Sequence, residues 1–208
     1  KNLREIEPNL NTNLALCSPS SGIFDTYDFI SKLEALSLNR DVTIVNECIF
    51  TNAIREGRFW KICTNHDQNN YIKTKILINS AGLHSLDISK KIFNINFDLI
   101  KNYTKGCYLR YKGVSPFNHI IYPSLKPGII EERVDATPDI NGGLRFGPSA
   151  ENPNNNINFE TNKEILDKFY TKIKEYFPLV IKNKLVFDTV GIRPKVSSKK
   201  SKLPLDFK

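Results

Sequence analysis

The sequence predicts an α/β (α+β) fold in two parts. A first part combines helices with a mixed sheet, and a second part is an antiparallel sheet carrying one long helix. Three observations predict it. Up to residue 97, helical apolar stripes alternate with short β-branched runs. Beyond it, alternating strands are joined by a hairpin signal at Asn141-Gly142. Residues 162–177, NKEILDKFYTKIKEYF, then carry Ile165, Phe169, Ile173 and Phe177 on one helical stripe. Segregation of helix-rich from strand-rich sequence points to two layers or two subdomains.

Each element has a local reason. Ser18-Pro19-Ser20-Ser21-Gly22 is a turn cluster. Asp25 or Thr26 caps a helix over YDFISKLEALSL, where Phe29, Ile30, Leu33, Leu36 and Leu38 form the stripe. DVTIVNECIF, residues 41–50, reads as a strand through Val42, Ile44 and Val45. RFWKICTN, residues 58–65, is a second strand. YIKTKILIN, residues 71–79, is a third, and its apolar end reads as buried. Residues 83–93 are helical. GCYLRYKG alternates, and HIIYPSL is a short strand closed by Pro123. VDATPDI and GLRFGPS flank the hairpin, and ENPNNNIN is a polar loop. Thr161 with Glu164 makes a capping box for the long helix. KLVFDTVGIRPKV is the last strand.

Composition narrows the function. The chain has 208 residues, 40% hydrophobic and 25% charged, close to a globular average. No apolar run reaches the roughly 18 residues a membrane span needs. Net charge is +8, but the lysines are scattered. The one dense basic cluster, KVSSKKSK at residues 195–202, has no aromatic to stack on a base, so nucleic acid is not expected as a partner. Cys17, Cys48, Cys63 and Cys107 have no C-x-x-C pairing and no histidine at metal spacing. They read as reduced thiols buried as small apolar groups, and no metal site is expected. The N-terminus has no signal-peptide core, so a reducing cytoplasm is the default. There is no methionine, which makes a fragment of a longer chain the expectation.

Four stretches carry possible chemistry. Ile76-Leu77-Ile78-Asn79 followed by Ser80-Ala81-Gly82 and a helix outlines a strand–turn–helix that could approach a bulky ligand. None of the ten glycines completes G-x-G-x-x-G or G-x-x-x-x-G-K-[ST]. On its own, the stretch is an ordinary turn. Lys105-Gly106-Cys107-Tyr108 could offer a cation and a hydroxyl to an acid, but alone is a common strand start. His119-Ile120-Ile121-Tyr122-Pro123 ends a strand with a tyrosine, and His119 reads as a surface or packing residue. Gly191-Ile192-Arg193-Pro194 holds an arginine suited to a bidentate carboxylate contact, or an arginine on an edge strand. Serine triads are absent, and Glu131-Glu132 reads as a solvated loop face.

Seven segments in order, REIEPNL, LCSPSSGIFD, LINSAGLHS, YTKGCYL, IIYPS, TPDINGGLRFGPSAE and GIRPK, resemble the FAD-dependent oxidoreductases related to D-amino-acid oxidase and glycine oxidase. The likeness is strongest to the L-2-hydroxyglutarate dehydrogenase-like branch and runs from Arg4 to Lys195. The resemblance implies a partial FAD-binding domain over 1–97, a substrate domain over 98–183, and a return strand with a basic tail over 184–208. It implies that Ser80, Ala81, Gly82 and Gly191 lie against FAD. It further implies that Lys105, Tyr108, Tyr122 and Arg193 face the flavin or a bound acid, with Arg193 as carboxylate anchor. The implied chemistry is hydride removal from a small 2-hydroxy or amino acid, which needs a cation, a base and a dry pocket.

Three departures accompany the resemblance. The glycine loop that holds the pyrophosphate lies before the matched region, so a complementing N-terminal FAD-binding segment is the implied partner. A C-terminal segment of the family is likewise not matched. Asp135 stands where the family has a histidine that is its candidate proton acceptor, and an exposed aspartate has a pKa near about 4. Three readings follow: a flavin-dependent 2-hydroxyacid dehydrogenase, a non-catalytic remnant or partner-dependent fragment, and a glycine- or sarcosine-type amine oxidase. The location is cytoplasmic, or membrane-peripheral through an electron acceptor.

Overall fold

The computed structural model describes residues 2–66, 71–94, 99–124, 133–153 and 157–198. Glu131, Glu132 and residues 199–208, with most of the basic cluster, lie outside them. The chain divides into two compact units. One is Lys1–Ser31 with Tyr103–Arg193, and the other is Lys32–Asn102 with the described part of Pro194–Lys208. No helix among the described residues is long and apolar enough to cross a membrane.

The first unit is built on a four-stranded sheet of order β5-β6-β4-β7. Its strands are β4 (Leu99–Tyr111), β5 (Ala136–Pro138), β6 (Leu144–Phe146) and β7 (Leu185–Ser198), and β4 and β7 run on past the unit boundary. β6 pairs antiparallel with both β4 and β5, in the registers Leu109↔Phe146 and Ala136↔Phe146. The expected hairpin is present, and its turn is held by Asp139 Oδ1, which accepts from the backbone N–H of Asn141 (2.8 Å) and Gly143 (2.9 Å).

Helix α4 (Lys163–Tyr176) covers one face of this sheet. Its stripe of Ile165, Phe169 and Ile173, continued by Tyr176 and Phe177, packs with Cys107, Leu109, Ala136, Leu144 and Phe146. Each such side chain, fully buried, contributes about 1.5–3 kcal/mol relative to exposure. Gly147 has a reason in this packing. It sits at φ +126, and a Cβ there would lie 2.8 Å from the Cys107 carbonyl oxygen. The α4 cap differs from expectation. Asn162, one residue later than Thr161, is the N-cap, and its side chain accepts from Glu164 N–H. Asparagine is the stronger N-cap of the two neighbouring candidates.

A short helix, α1 (Leu3–Ile6), brings the N-terminal chain onto this unit. Glu7 follows it, 3% exposed, and its Oε1 accepts from the N–H groups of Asn118 and His119 at 2.8 Å. The same oxygen lies 2.7 Å from His119 Nδ1. His119 is therefore a packing partner of the N-terminal strap, as its neighbours in sequence suggest.

The second unit holds an antiparallel meander of β1 (Phe50–Glu56), β2 (Phe59–Thr64) and β3 (Ile72–Thr74). Helix α3 (Ser85–Phe93), entered through a 3-10 turn at Gly82–His84, packs on β1. Its Phe93 meets Trp60 edge to face, with centroids 6.3 Å apart. Helix α2 (Thr26–Leu38) passes from one unit to the other along the chain, and Asp25 Oδ1 accepts from Asp28 N–H at its start.

Four sequence expectations are corrected. Residues 41–49 are not a strand. Asp41 and Glu47 adopt positive φ, 59° and 57°, which breaks an extended run, and strand pairing begins only at Phe50. The third strand ends at Thr74, and Ile76 and Ile78 are 74% and 79% exposed rather than buried, because no described strand pairs with them. HIIYPSL makes only an isolated bridge, Ile121 to Ala136. Of the four cysteines, all free, only Cys107 is buried, and Cys17 is exposed.

The burial pattern sets opposite mutational outcomes. Phe169→Ala should cost about 3–5 kcal/mol in urea unfolding. Leu36→Ser, on the exposed stripe of α2, should change stability by no more than about 0.5 kcal/mol.

Candidate functional site

Side chains alternate along a strand, so burying Cys107, Leu109 and Tyr111 of β4 sends Tyr108 and Arg110 to the other face. Leu144 and Phe146 do the same for Arg145, and Ala136 for Asp135 and Thr137. That face is polar. Arg110 and Arg145 stand directly opposite each other in the β4–β6 register. Arg145 reaches across β4 to β7, where its Nε lies 2.6 Å from Asp188 Oδ2. Its guanidinium is 5.7 Å from the centre of the Tyr108 ring, within range of a cation–π contact.

At the β5 end of this face, Asp135 is the chemically unusual group. One carboxylate oxygen, Oδ1, is buried and makes no hydrogen bond. Arg133 Nε is 3.8 Å away, too far for one. Burial pushes the Asp135 carboxyl above its ordinary range, and the Arg133 charge pulls in the opposite direction. The isolated Ile121–Ala136 bridge holds the chain just before Tyr122 against β5. Arg133 also lies over the Tyr122 ring, 5.5 Å from its centre. From below, the buried Tyr176 hydroxyl donates to the Val134 carbonyl at 2.9 Å. Burial, then the nearby Asp135 charge, pushes that phenol further up, so it stays a donor.

The expected site residues are placed as follows. Tyr108 and Asp135 share the polar face, and Tyr122 is exposed under the Arg133 guanidinium. Lys105 pairs its backbone with Glu151, and its Nζ donates to the Glu160 carbonyl. Arg193 is exposed on β7, the edge strand, and makes no hydrogen bond or ion pair among the described residues. Gly191, on the same strand, has no atom within 4 Å of where its Cβ would stand.

Ser80, Ala81 and Gly82 belong to the second unit. Asn79 fixes this loop from inside. Its amide donates to Ser85 O (2.8 Å) and Ser89 Oγ (3.0 Å), and its oxygen accepts from Ala81 N–H (3.3 Å). Gly82 sits at φ +52 with open space over its Cα. Ile76 and Ile78, just before this small-residue loop, are exposed. The stretch offers no glycine loop for a pyrophosphate.

Arg110, Arg133, Arg145 and Asp188 were not singled out in the sequence. The alternation in GCYLRYKG and GLRFGPS carried a signal for two of them, since each arginine there sits between apolar residues. The Arg145–Asp188 pair is 43 positions apart (188 − 145) and has no local signature.

Residues 1–206 match the FAD dependent oxidoreductase (DAO) family, and the chain belongs to it. Among curated relatives, it is 26% identical over 243 aligned residues to the mitochondrial L-2-hydroxyglutarate dehydrogenase of Arabidopsis thaliana, covering 97% of this chain and 50% of that protein. The fold is that of L-alpha-glycerophosphate oxidase from Mycoplasma pneumoniae, solved with FAD bound (TM-score 0.72, 19% identity, 96% of this chain and 52% of that one). L-proline dehydrogenase from P. horikoshii shares it as well (TM-score 0.74, 16% identity, 96% and 52%). The chain thus spans about half the length of the relatives it matches.

Asp135 gives a pH signature. Its folded pKa lies above the unfolded value, so the folded state binds the proton more tightly and stability falls as pH rises from the unfolded pKa through the folded one. Asp135→Asn should therefore raise Tm at pH 7, and the gain should vanish at a pH below about 3.9, where the unfolded carboxyl is protonated too. Thermal melts across that range check it. An equal gain at both pH values would remove burial of the charge as the cause.

Proposed function

We propose that this chain is the substrate-binding part of a FAD-dependent 2-hydroxyacid dehydrogenase of the L-2-hydroxyglutarate type. The observation that carries it is Asp135, a poorly solvated carboxylate with an oxygen that makes no hydrogen bond, near Arg133, which in turn lies over the Tyr122 ring. A base for a hydroxyl proton needs a pKa raised toward the working pH, and burial supplies that direction. In this reading Asp135 takes the hydroxyl proton, while Arg133 and Arg193 hold the carboxylate next to the reacting carbon. Tyr108 and Tyr122 line the face and exclude water. FAD, when bound, would supply the hydride acceptor, and the product would be the 2-oxo acid. Lys105, engaged by Glu160, holds the sheet to the following loop.

A second feature makes the activity partner-dependent. Leu33, Leu36, Leu38, Val42, Ile44, Val45, Ile76 and Ile78, all in the second unit, are between 41% and 79% exposed. Monomers rarely leave so many large apolar side chains in water. A complementing FAD-binding segment that covers these side chains would account for their exposure.

The test is a visible spectrum of the purified chain with FAD, repeated with a co-expressed FAD-binding segment from a relative. The chain alone should show no bound flavin band. The pair should, and L-2-hydroxyglutarate should bleach it. Asp135→Asn should slow bleaching by roughly 100- to 10,000-fold. A yellow complex of the chain alone would remove the partner. Bleaching by glycine or proline in place of hydroxy acids would establish the amine oxidase reading instead.

A further inference from the structure

The polar face of the first unit carries a charge arrangement that folding does not explain. Arg110 and Arg145 face each other directly across β4 and β6. Like charges in that position destabilise a sheet. Only one carboxylate, Asp188, meets them among the described residues, and it contacts Arg145. Arg110 is exposed and has no partner there.

The Arg145–Asp188 ion pair does not offset this through stability. The Arg145 side chain is 50% exposed, and such pairs contribute at most about 1 kcal/mol. What the contact does is fix geometry. Arg145 is gripped through Nε by a strand two positions away and rests over the Tyr108 ring. An Nε-held guanidinium keeps its two terminal NH2 groups, the edge that binds carboxylate or phosphate bidentately. The pair with Asp188 still leaves the charge of Arg110 unmatched on the same face.

We propose that Arg110 and Arg145 form an anion subsite, positioned by Asp188 and Tyr108, that selects acids carrying a second anionic group. Resting on the dehydrogenase reading, the subsite takes the far end of the substrate, while the end that reacts lies at Asp135. Thr137 stands opposite Arg145 in the β5–β6 register, and Asp135 is two positions before it on the same face. Asp135 and Thr137 are about 7 Å apart along β5, and the Arg145 guanidinium is displaced from them across the same face toward β7, so the subsite meets a part of the acid remote from the reacting carbon. The anionic group is a carboxylate or a phosphate, since the guanidinium edge matches both.

The test needs no flavin. The full chain is titrated with glutarate, pentanoate, glycerol 3-phosphate and glycerol, and binding is followed by backbone amide NMR shifts at Thr137, Arg145 and Asp188. Glutarate should bind at least about tenfold more tightly than pentanoate, a difference of about 1.4 kcal/mol. That preference should disappear in Arg145→Gln/Asp188→Asn, which leaves no lone carboxylate. It should weaken in Arg110→Gln, whose exposed side chain holds nothing in place. Arg145→Lys should restore part of it. A parallel preference for glycerol 3-phosphate over glycerol would identify phosphate as a second source of the anion, and its absence would confine the subsite to carboxylates. Equal binding of glutarate and pentanoate, or a glutarate preference that survives both variants, overturns the proposal. Intact glutarate preference without flavin bleaching in the paired protein would sink the dehydrogenase reading and leave the subsite standing.

Discussion

The seating of α4 on one face of the β5-β6-β4-β7 sheet is the constraint from which the rest of the first unit follows. Phe146, Leu109, Leu144, Ile173 and Cys107 are the largest fully buried side chains, and all belong to that contact. Once Cys107, Leu109 and Tyr111 must point down, the pleat forces Tyr108 and Arg110 up. Arginine cannot be turned inward without a desolvation cost of several kcal/mol, so the register that buries the apolar set also fixes where every charge on β4 and β6 stands. A slip of one residue would bury two arginines and expose the core in the same move. The polar face is therefore as firmly specified as the core, although few of its own interactions are strong.

The second unit is organised differently. Its buried apolar residues among the described ones are Ala53 and Leu86, one small and one medium. Around the Trp60–Phe93 contact, its order rests on the ladder of β1 to β3 and on the Asn79 hydrogen bonds that hold the turn into α3. A unit that leaves so much apolar side chain in water gains little from burial, and the gain is recovered only when something covers it.

How far the sequence could be read follows from how local each cause is. The α4 stripe, the hairpin at Asn141-Gly142 and the β2 run are local patterns, and all three hold in the structure. Residues 41–49 and 75–79 have equally good strand composition. A strand, however, is a pairing, and pairing is decided by a neighbour that composition does not reveal. The cap of α4 shifted by one residue because two adequate caps, Thr161 and Asn162, stand side by side. At the site, Asp135 was visible as a substitution within a resemblance, but its burial and its unpaired oxygen depend on Arg133 failing to close to hydrogen-bond distance. Arg145 was invisible as a functional residue because its partner, Asp188, arrives from the far strand of the sheet.

The electrostatics of the polar face make these parts act together. It carries Arg110, Arg133 and Arg145 against Asp135 and Asp188, an excess of positive charge. Of these, Arg133 favours the ionised form of Asp135 and works against burial. An acid bound on this face changes both effects in the same direction. Its carboxylate draws on the arginine charge that lowered the Asp135 pKa, and its own negative charge then opposes ionisation of Asp135. Closure of the face against water strengthens both. On the proposed reading, an anionic substrate would push the Asp135 carboxyl further in the direction that burial already takes it. Histidine at this position would respond to the same anion by gaining a proton and losing its capacity to accept one. On the proposed reading, Asp135 and the cationic sheet face suit an anionic substrate together.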